Sequence, residues 1–137
     1  MILVDSNVWS ELLKPQRDER VVRWLADNSE DIVLSAIVLA ELQFYVAKQP
    51  AGRKRRVAEL VLAAIDSGVG SRFVDFGERD AAAYGDLMAT MRRAGTPIPA
   101  LDGLIAAQAI CRGYAVATRN VKDFSPTGVE VVNPWKA

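Results

Sequence analysis

The chain alternates short, unbroken apolar runs with longer segments in which apolar residues return every three or four positions. The runs are ILV (Ile2 to Val4), DIVLS (Asp31 to Ser35), RFVDF (Arg72 to Phe76) and YAVAT (Tyr114 to Thr118), with VEVV (Val129 to Val132) as a short edge candidate. Such runs suit strands covered on both faces, as in a parallel sheet. Helical patterns fill the gaps between them. One starts near Asn7 and stops at Pro15, which cannot continue a helix. DERVVRWLADN is a second, amphipathic helix. Ser35 is placed to cap AIVLAELQFYVAK. The break at Pro50, Ala51 and Gly52 leads into RKRRVAELVLAAIDSG, so these two helices are expected to pair as an αα-hairpin. ERDAAAYGDLMATMRRAG ends on Gly95, and Pro97 and Pro99 precede ALDGLIAAQAICRG.

Strands alternating with helices predict an α/β fold, a mostly parallel sheet with helices on both faces. The length of 137 residues fits one domain, and no internal repeat stands out. In such sheets ligands bind beyond the carboxyl ends of the strands, near a topological switch point. Four acids recur there. Asp5 follows the first strand, Glu41 lies in the helix after the second, Asp102 opens the helix leading to the fourth, and Asp123 follows that strand in TRNVKDF. Each acid has a plainer reading. Asp5 or Ser6 suits a helix cap, with Ser6 or Asn7 able to serve instead and leave Asp5 free. Asp102 suits the positive end of a helix dipole, and Asp123 suits a turn. Glu41 resists such a reading, because its helix is apolar nearly all round. An enclosed carboxylate needs a partner.

Composition narrows the chemistry. There is no histidine, which removes Ser-His-Asp and Cys-His catalysis. The single cysteine, Cys111, sits in an apolar helical stretch and reads as a packing residue. Formal net charge is zero, so a polyanion partner needs a local basic patch or a bound cation. No apolar run has the length to span a bilayer and no signal peptide is recognisable, so the expected location is the cytoplasm. Carboxylates gathered without a base raise each other's pKa, and a divalent cation relieves that repulsion. An all-oxygen ligand set suits Mg²⁺ or Mn²⁺, and the implied reaction is metal-assisted phosphodiester hydrolysis.

The segments ILVDSNVW, SAIVLAEL, LDGLIAAQA and VATRNVKDF, in this order, together with the closing NPW, resemble the PIN-domain ribonucleases. The likeness is strongest to the VapC-type toxins of toxin–antitoxin pairs, including the FitB-like group, and runs from Ile2 to Trp135. The resemblance implies a three-layer α/β/α domain around a sheet of four to five strands. It implies an acidic triad of Asp5, Glu41 and Asp102 holding Mg²⁺ or Mn²⁺. The family's fourth acidic position falls at Asn120, which is neutral, and Asp123 stands three residues on to take that role. Ser6 and Thr118 match hydroxyl positions lining the family's site, expected to orient water or a carboxylate. The resemblance further implies an RNA substrate, metal-activated water, a homodimer and an inhibitory antitoxin partner.

Two other functions compete. An aspartyl-phosphate phosphotransfer domain is disfavoured, because no second Asp follows Asp5 by two residues and one acid sits within a helix. A catalytically weak PIN-like binding module remains open through Asn120. Beyond the acids, Arg119 and Lys122 flank the site as the better candidates for phosphate contact; Arg53 to Arg56 read first as a solvated helix N-terminus, with RNA backbone contact as the lesser alternative, and Arg92–Arg93 as helix-end charges. Trp9, Trp24, Phe44 and Tyr45 read as core, with apolar surface to spare on the two hairpin helices.

Overall fold

The computed structural model describes residues 1–69 and 72–137. Five strands, β1 (Ile2–Val4), β2 (Ile32–Ser35), β3 (Phe73–Val74), β4 (Ala115–Ala117) and β5 (Val131–Val132), form one sheet in the order β3-β2-β1-β4-β5. Every neighbouring pair is parallel. The central strands bury nearly every side chain, which is why they carry no polar alternation. The helices between them are α1 (Ser6–Glu11), α2 (Glu19–Asp27), α3 (Ala36–Ala47), α4 (Arg53–Val69), α5 (Glu78–Arg93), α6 (Ala100–Arg112) and α7 (Val121–Phe124).

Connections from β1 step outward to β2 and then β3, and the next crossover returns past them to β4. Right-handed crossovers therefore put α1 to α4 on one face and α5 and α6 on the other. The reversal falls between β1 and β4. It opens a crevice at their carboxyl ends.

The expected elements are present, with β5 limited to Val131–Val132 of the expected Val129 to Val132 and four further departures. The third strand spans only Phe73–Val74 of the expected Arg72 to Phe76, because its ladder partners Leu34 and Ser35 are the last residues of β2. Past Ser35 the chain turns into α3, capped as expected by the Ser35 hydroxyl, which accepts from Ile37 N–H at 3.0 Å. The first helix begins at Ser6, one residue early. Its regular part ends at Glu11 rather than Pro15, with three-residue turns at Leu12 to Lys14 filling the interval. The short α7 and the 3₁₀ turn Ser125–Thr127 were hidden in TRNVKDF, since four residues carry no periodicity.

Two features fix α6, which brings Asp102 to the crevice. Gly103 lets it lie close to α5, since a Cβ there would stand 2.5 Å from Met88 Sδ and 3.1 Å from Tyr84 Cε2. Gln108 is fully buried and joins three elements. It accepts from the Ser35 hydroxyl and donates to the Val74 and Asp75 carbonyls at 3.4 and 3.1 Å. A Gln108→Leu substitution keeps the volume but strands these buried groups. It should cost about 1–3 kcal/mol, seen as a lower urea midpoint with an unchanged slope. An unchanged midpoint would show that the amide is not holding these elements together.

Candidate active site

Asp5 is the first residue after β1 and is almost wholly buried. Both of its oxygens are held. Oδ1 accepts from Ser6 N–H at 2.7 Å, so Asp5 itself caps α1. Of the capping candidates Asp5 is the one used, and the alternative in which Ser6 or Asn7 caps α1 and leaves Asp5 free is corrected, since both lie inside the first turn. Oδ2 accepts from the Thr118 hydroxyl at 2.7 Å, across the β1–β4 crevice. Thr118 is fully buried just beyond β4, where its backbone N–H donates to the Val132 carbonyl at 2.9 Å. Asp5 thus faces the switch point by virtue of the sheet's register.

Asn7 completes this arrangement, and the sequence reading missed it as a site residue. Its amide nitrogen stands 3.3 Å from Asp5 Oδ2 and 3.3 Å from Thr118 Oγ1, and its Oδ1 accepts from Arg119 N–H at 3.3 Å. One side chain therefore links α1, the first acid and the segment after β4. The only signal available was an amide, donor and acceptor together, two residues after a strand-end acid.

The other acids approach from separate elements. Asp102 sits in the first turn of α6, buried, with a carboxyl pKa pushed up to about 7. Burial is the main cause, followed by the negative charges of Asp5, Asp123 and Glu41 and a shared hydrogen bond with Asp123. Glu41, half-buried on α3, is also raised, by burial first and then by Asp5, against a lowering contact from the Ser6 hydroxyl. Its Oε1 is buried without a hydrogen-bond partner among the described residues. Asp5 is raised by burial, against the opposing hydrogen bonds of Thr118 and Ser6. The structure thus brings Asp5, Glu41, Asp102 and Asp123 into one another's field. Asn120 is exposed at the start of α7, and its backbone, not its amide, takes part: its N–H donates to Thr118 Oγ1 at 3.0 Å.

No Lys or Arg forms an ion pair with any of the four acids among the described residues. Nor do three of them stand as a ready-made ligand cage there. Two openings flank the cluster. One, of about 400 Å³, is lined by Ser6, Glu41, Phe44, Tyr45, Lys48 and Leu101 among others. The other, of about 600 Å³, runs past Asp123.

The family model described as the PIN domain matches residues 2–128. The chain belongs to the PIN-domain family. Among its relatives, the VapC ribonuclease Y4jK of Sinorhizobium fredii is 38% identical over 138 residues, covering 99% of each chain. The toxin FitB of Neisseria gonorrhoeae is 42% identical over 137 residues, covering 98% of this chain and 99% of FitB. The crystal structure of FitAcB from Neisseria gonorrhoeae superposes with a TM-score of 0.93 at 42% identity, over the full length of both chains. VapBC2 from Rickettsia felis, bound to a DNA fragment from its promoter, superposes with a TM-score of 0.83 at 26% identity, covering 97% of this chain and 98% of that one. The resemblance read from four motifs is therefore family membership.

In this PIN domain the donor set at the crevice is entirely oxygen, four carboxyl groups with the Thr118 and Ser6 hydroxyls, while Asn7 turns its amide nitrogen to Asp5. Hard cations favour such a set, and softer metals do not. The orphaned Glu41 Oε1 and the raised carboxyl groups both describe a place short of positive charge. The residues fit a divalent cation such as Mg²⁺ or Mn²⁺.

Proposed function

We propose that this PIN domain is a divalent-metal-dependent endoribonuclease, the toxin of a toxin–antitoxin pair. One observation carries the reading. Acids from four separate segments meet at the sheet's switch point with no ion-pair partner among the described residues, and burial, reinforced by the other three, pushes Asp102 up to about 7. Such an arrangement is unfavourable for folding alone, which points to a ligand of opposite charge.

Asp5, Glu41 and Asp102 would hold Mg²⁺ or Mn²⁺, with Asp123 supplying the acid that Asn120 lacks. Bound there, the cation supplies an activated water and stabilises charge on a phosphodiester. The remaining work falls to the chain's own residues. Thr118 and Asn7 fix the orientation of Asp5 through hydrogen bonds to Oδ2. Ser6 offers a hydroxyl between Asp5 and Glu41. The β1–β4 ladder and the Gln108 anchor hold the acids on rigid elements rather than loops. The names of its FitB and VapC relatives support the toxin reading, and the named VapBC2 assembly supports an antitoxin partner. Phe44, expected in the core, is instead exposed on α3, and with Val57 and Leu60 on α4 it offers apolar surface for that partner or for a homodimer. Among the described residues no helix is long and apolar enough to cross a membrane. Action in the cytoplasm belongs to the same proposal.

The test is RNA cleavage by the purified chain. Mixed single-stranded RNA should be cut in Mg²⁺ or Mn²⁺, spared in EDTA, and cut again when metal is restored in excess. Cleavage that persists in EDTA, or in Asp5→Ala, would refute the reading. Metal-replete protein that binds RNA but never cuts it would favour the catalytically weak module.

A further inference from the structure

The larger opening beside the acid cluster has the opposite charge. Arg119, Lys122 and Lys136 line it, with Asn120, Asn133 and a single acid, Asp123. The chain as a whole carries 17 basic and 17 acidic residues, so this excess is local. None of the three cations forms an ion pair among the described residues, although Arg119 joins Arg20, whose hydrogen bonds are the main cause, in lowering the Asp18 carboxyl.

Arg119 is held in place without using its donors. Its guanidinium lies 4.8 Å from the centre of the Trp135 ring. Trp135 is buried, and its backbone N–H donates to Asn133 Oδ1 at 3.0 Å. At the other end of the residue, Arg119 N–H donates to Asn7 Oδ1 beside Asp5. The stacked guanidinium makes no hydrogen bond within the described residues, so its edge remains open. A planar fork, oriented by a ring and unpaired, suits a phosphate oxygen pair. Its orientation is set before ligand arrives, which lowers the ordering cost of binding.

We propose that Trp135-stacked Arg119, Lys122 and Lys136 form a phosphate-binding cleft that grips the backbone of single-stranded RNA next to the acid cluster. The proposal rests on the ribonuclease reading and adds to it the side from which substrate is held. Asp123 marks the junction, since it lines this cleft and also faces Asp102. The cations pull the polyanion toward acids that would repel it. Trp135 is a positioning residue in this scheme, and Arg119 and the lysines make the contacts.

The test measures binding of a fluorescein-labelled single-stranded RNA by anisotropy in EDTA, where cleavage cannot interfere, across a salt series. The R119A/K122A/K136A variant should bind at least about tenfold more weakly. Its slope of log affinity against log salt should flatten by about 2, near 0.7 for each lost phosphate contact on a single strand. R79A/R92A/R93A, which removes equal charge from α5, should bind like wild type. W135F should also bind like wild type, and W135L should weaken binding with the slope kept. Asp5→Asn should bind at least as well as wild type. Unchanged affinity and slope in the triple variant, with wild-type cleavage intact, overturn the cleft alone. A wild type that neither binds nor cuts RNA overturns the functional reading instead. Tighter binding of a duplex DNA of equal length overturns the assignment to a single strand.

Discussion

Asp102→Asn should lower RNA cleavage at least about 100-fold while making the metal-free protein more stable at neutral pH. The activity estimate follows from metal sites, where even outer-shell partners are worth about 10- to 100-fold and a direct ligand is worth at least the upper end. The stability gain follows from charge. Asn has the shape and hydrogen-bonding groups of a protonated Asp, without the ionisation. The Asp102 carboxyl lies at about 7 in the folded chain against an ordinary 3.8. The folded state therefore keeps a proton that the unfolded state releases between these values. Stability from this group is full below about pH 4, declines as pH rises toward 7, and stays low above it. In Asn that loss is absent. The difference in Tm between variant and wild type should be near zero at about pH 4 and grow to roughly 2–5 °C by about pH 8. Thermal melts in EDTA across this range measure it. Added Mg²⁺ should reverse the order, since ligand bound to the folded state stabilises it in proportion to its affinity. A variant that melts below wild type at pH 8 in EDTA would show that Asp102 is a structural acid.

The cost of gathering unpaired acids in one place is also what made the candidate site legible. Glu41 and Asp102 are charges inside apolar helical stretches, where folding alone offers no reason for them. Asp5 and Asp123 follow strands, so the parallel topology carries them to one edge. Position along the elements was enough to gather all four. Hydrogen-bond assignments were not legible in the same way. Asn7 pairs with Thr118 across 111 positions of sequence, and only the β1–β4 register makes them neighbours. Ser6, Asn7 and Asp5 are equally good capping residues by type. The backbone at Asp5 decides between them, with its extended ψ of 156° just ahead of the helix. Gln108 was invisible for a related reason. In ALDGLIAAQAICRG it looks like a tolerated polar residue, and its partners lie at the ends of two other strands. The boundary errors at β3 share this cause, because a strand ends where its neighbour ends, whatever its own propensity.

The largest loss of stability should come from a pair far from the acids. Asp80→Ala should destabilise the fold by about 3 kcal/mol, the lower end for breaking a buried ion pair because Arg112 is partly exposed. Asp80 is buried in the first turn of α5, where its Oδ2 accepts from Gly77 N–H at 2.8 Å. Arg112, in the last turn of α6, grips both of its oxygens, at 2.6 and 3.2 Å. The same guanidinium reaches the Gln108 and Asp75 carbonyls at 2.8 and 3.3 Å. Alanine removes the acceptor that Gly77 N–H uses at the start of α5 and leaves Arg112 partly enclosed without its counter-charge. Arg112 holds the Asp80 carboxyl below its ordinary 3.8, so the stabilisation is complete above that value and fades as pH falls through the lower, folded one. Urea denaturation should show the full difference at about pH 7 and a shrinking one below about pH 4. Cleavage should survive wherever the variant remains folded. Arg112 lies ten residues from Asp102 along α6, about 15 Å at 1.5 Å per residue, and Gln108 still anchors the helix between them. Activity lost in proportion to the unfolded fraction fits this account. Activity lost in a fully folded Asp80→Ala protein would place the pair in the substrate's path and contradict it.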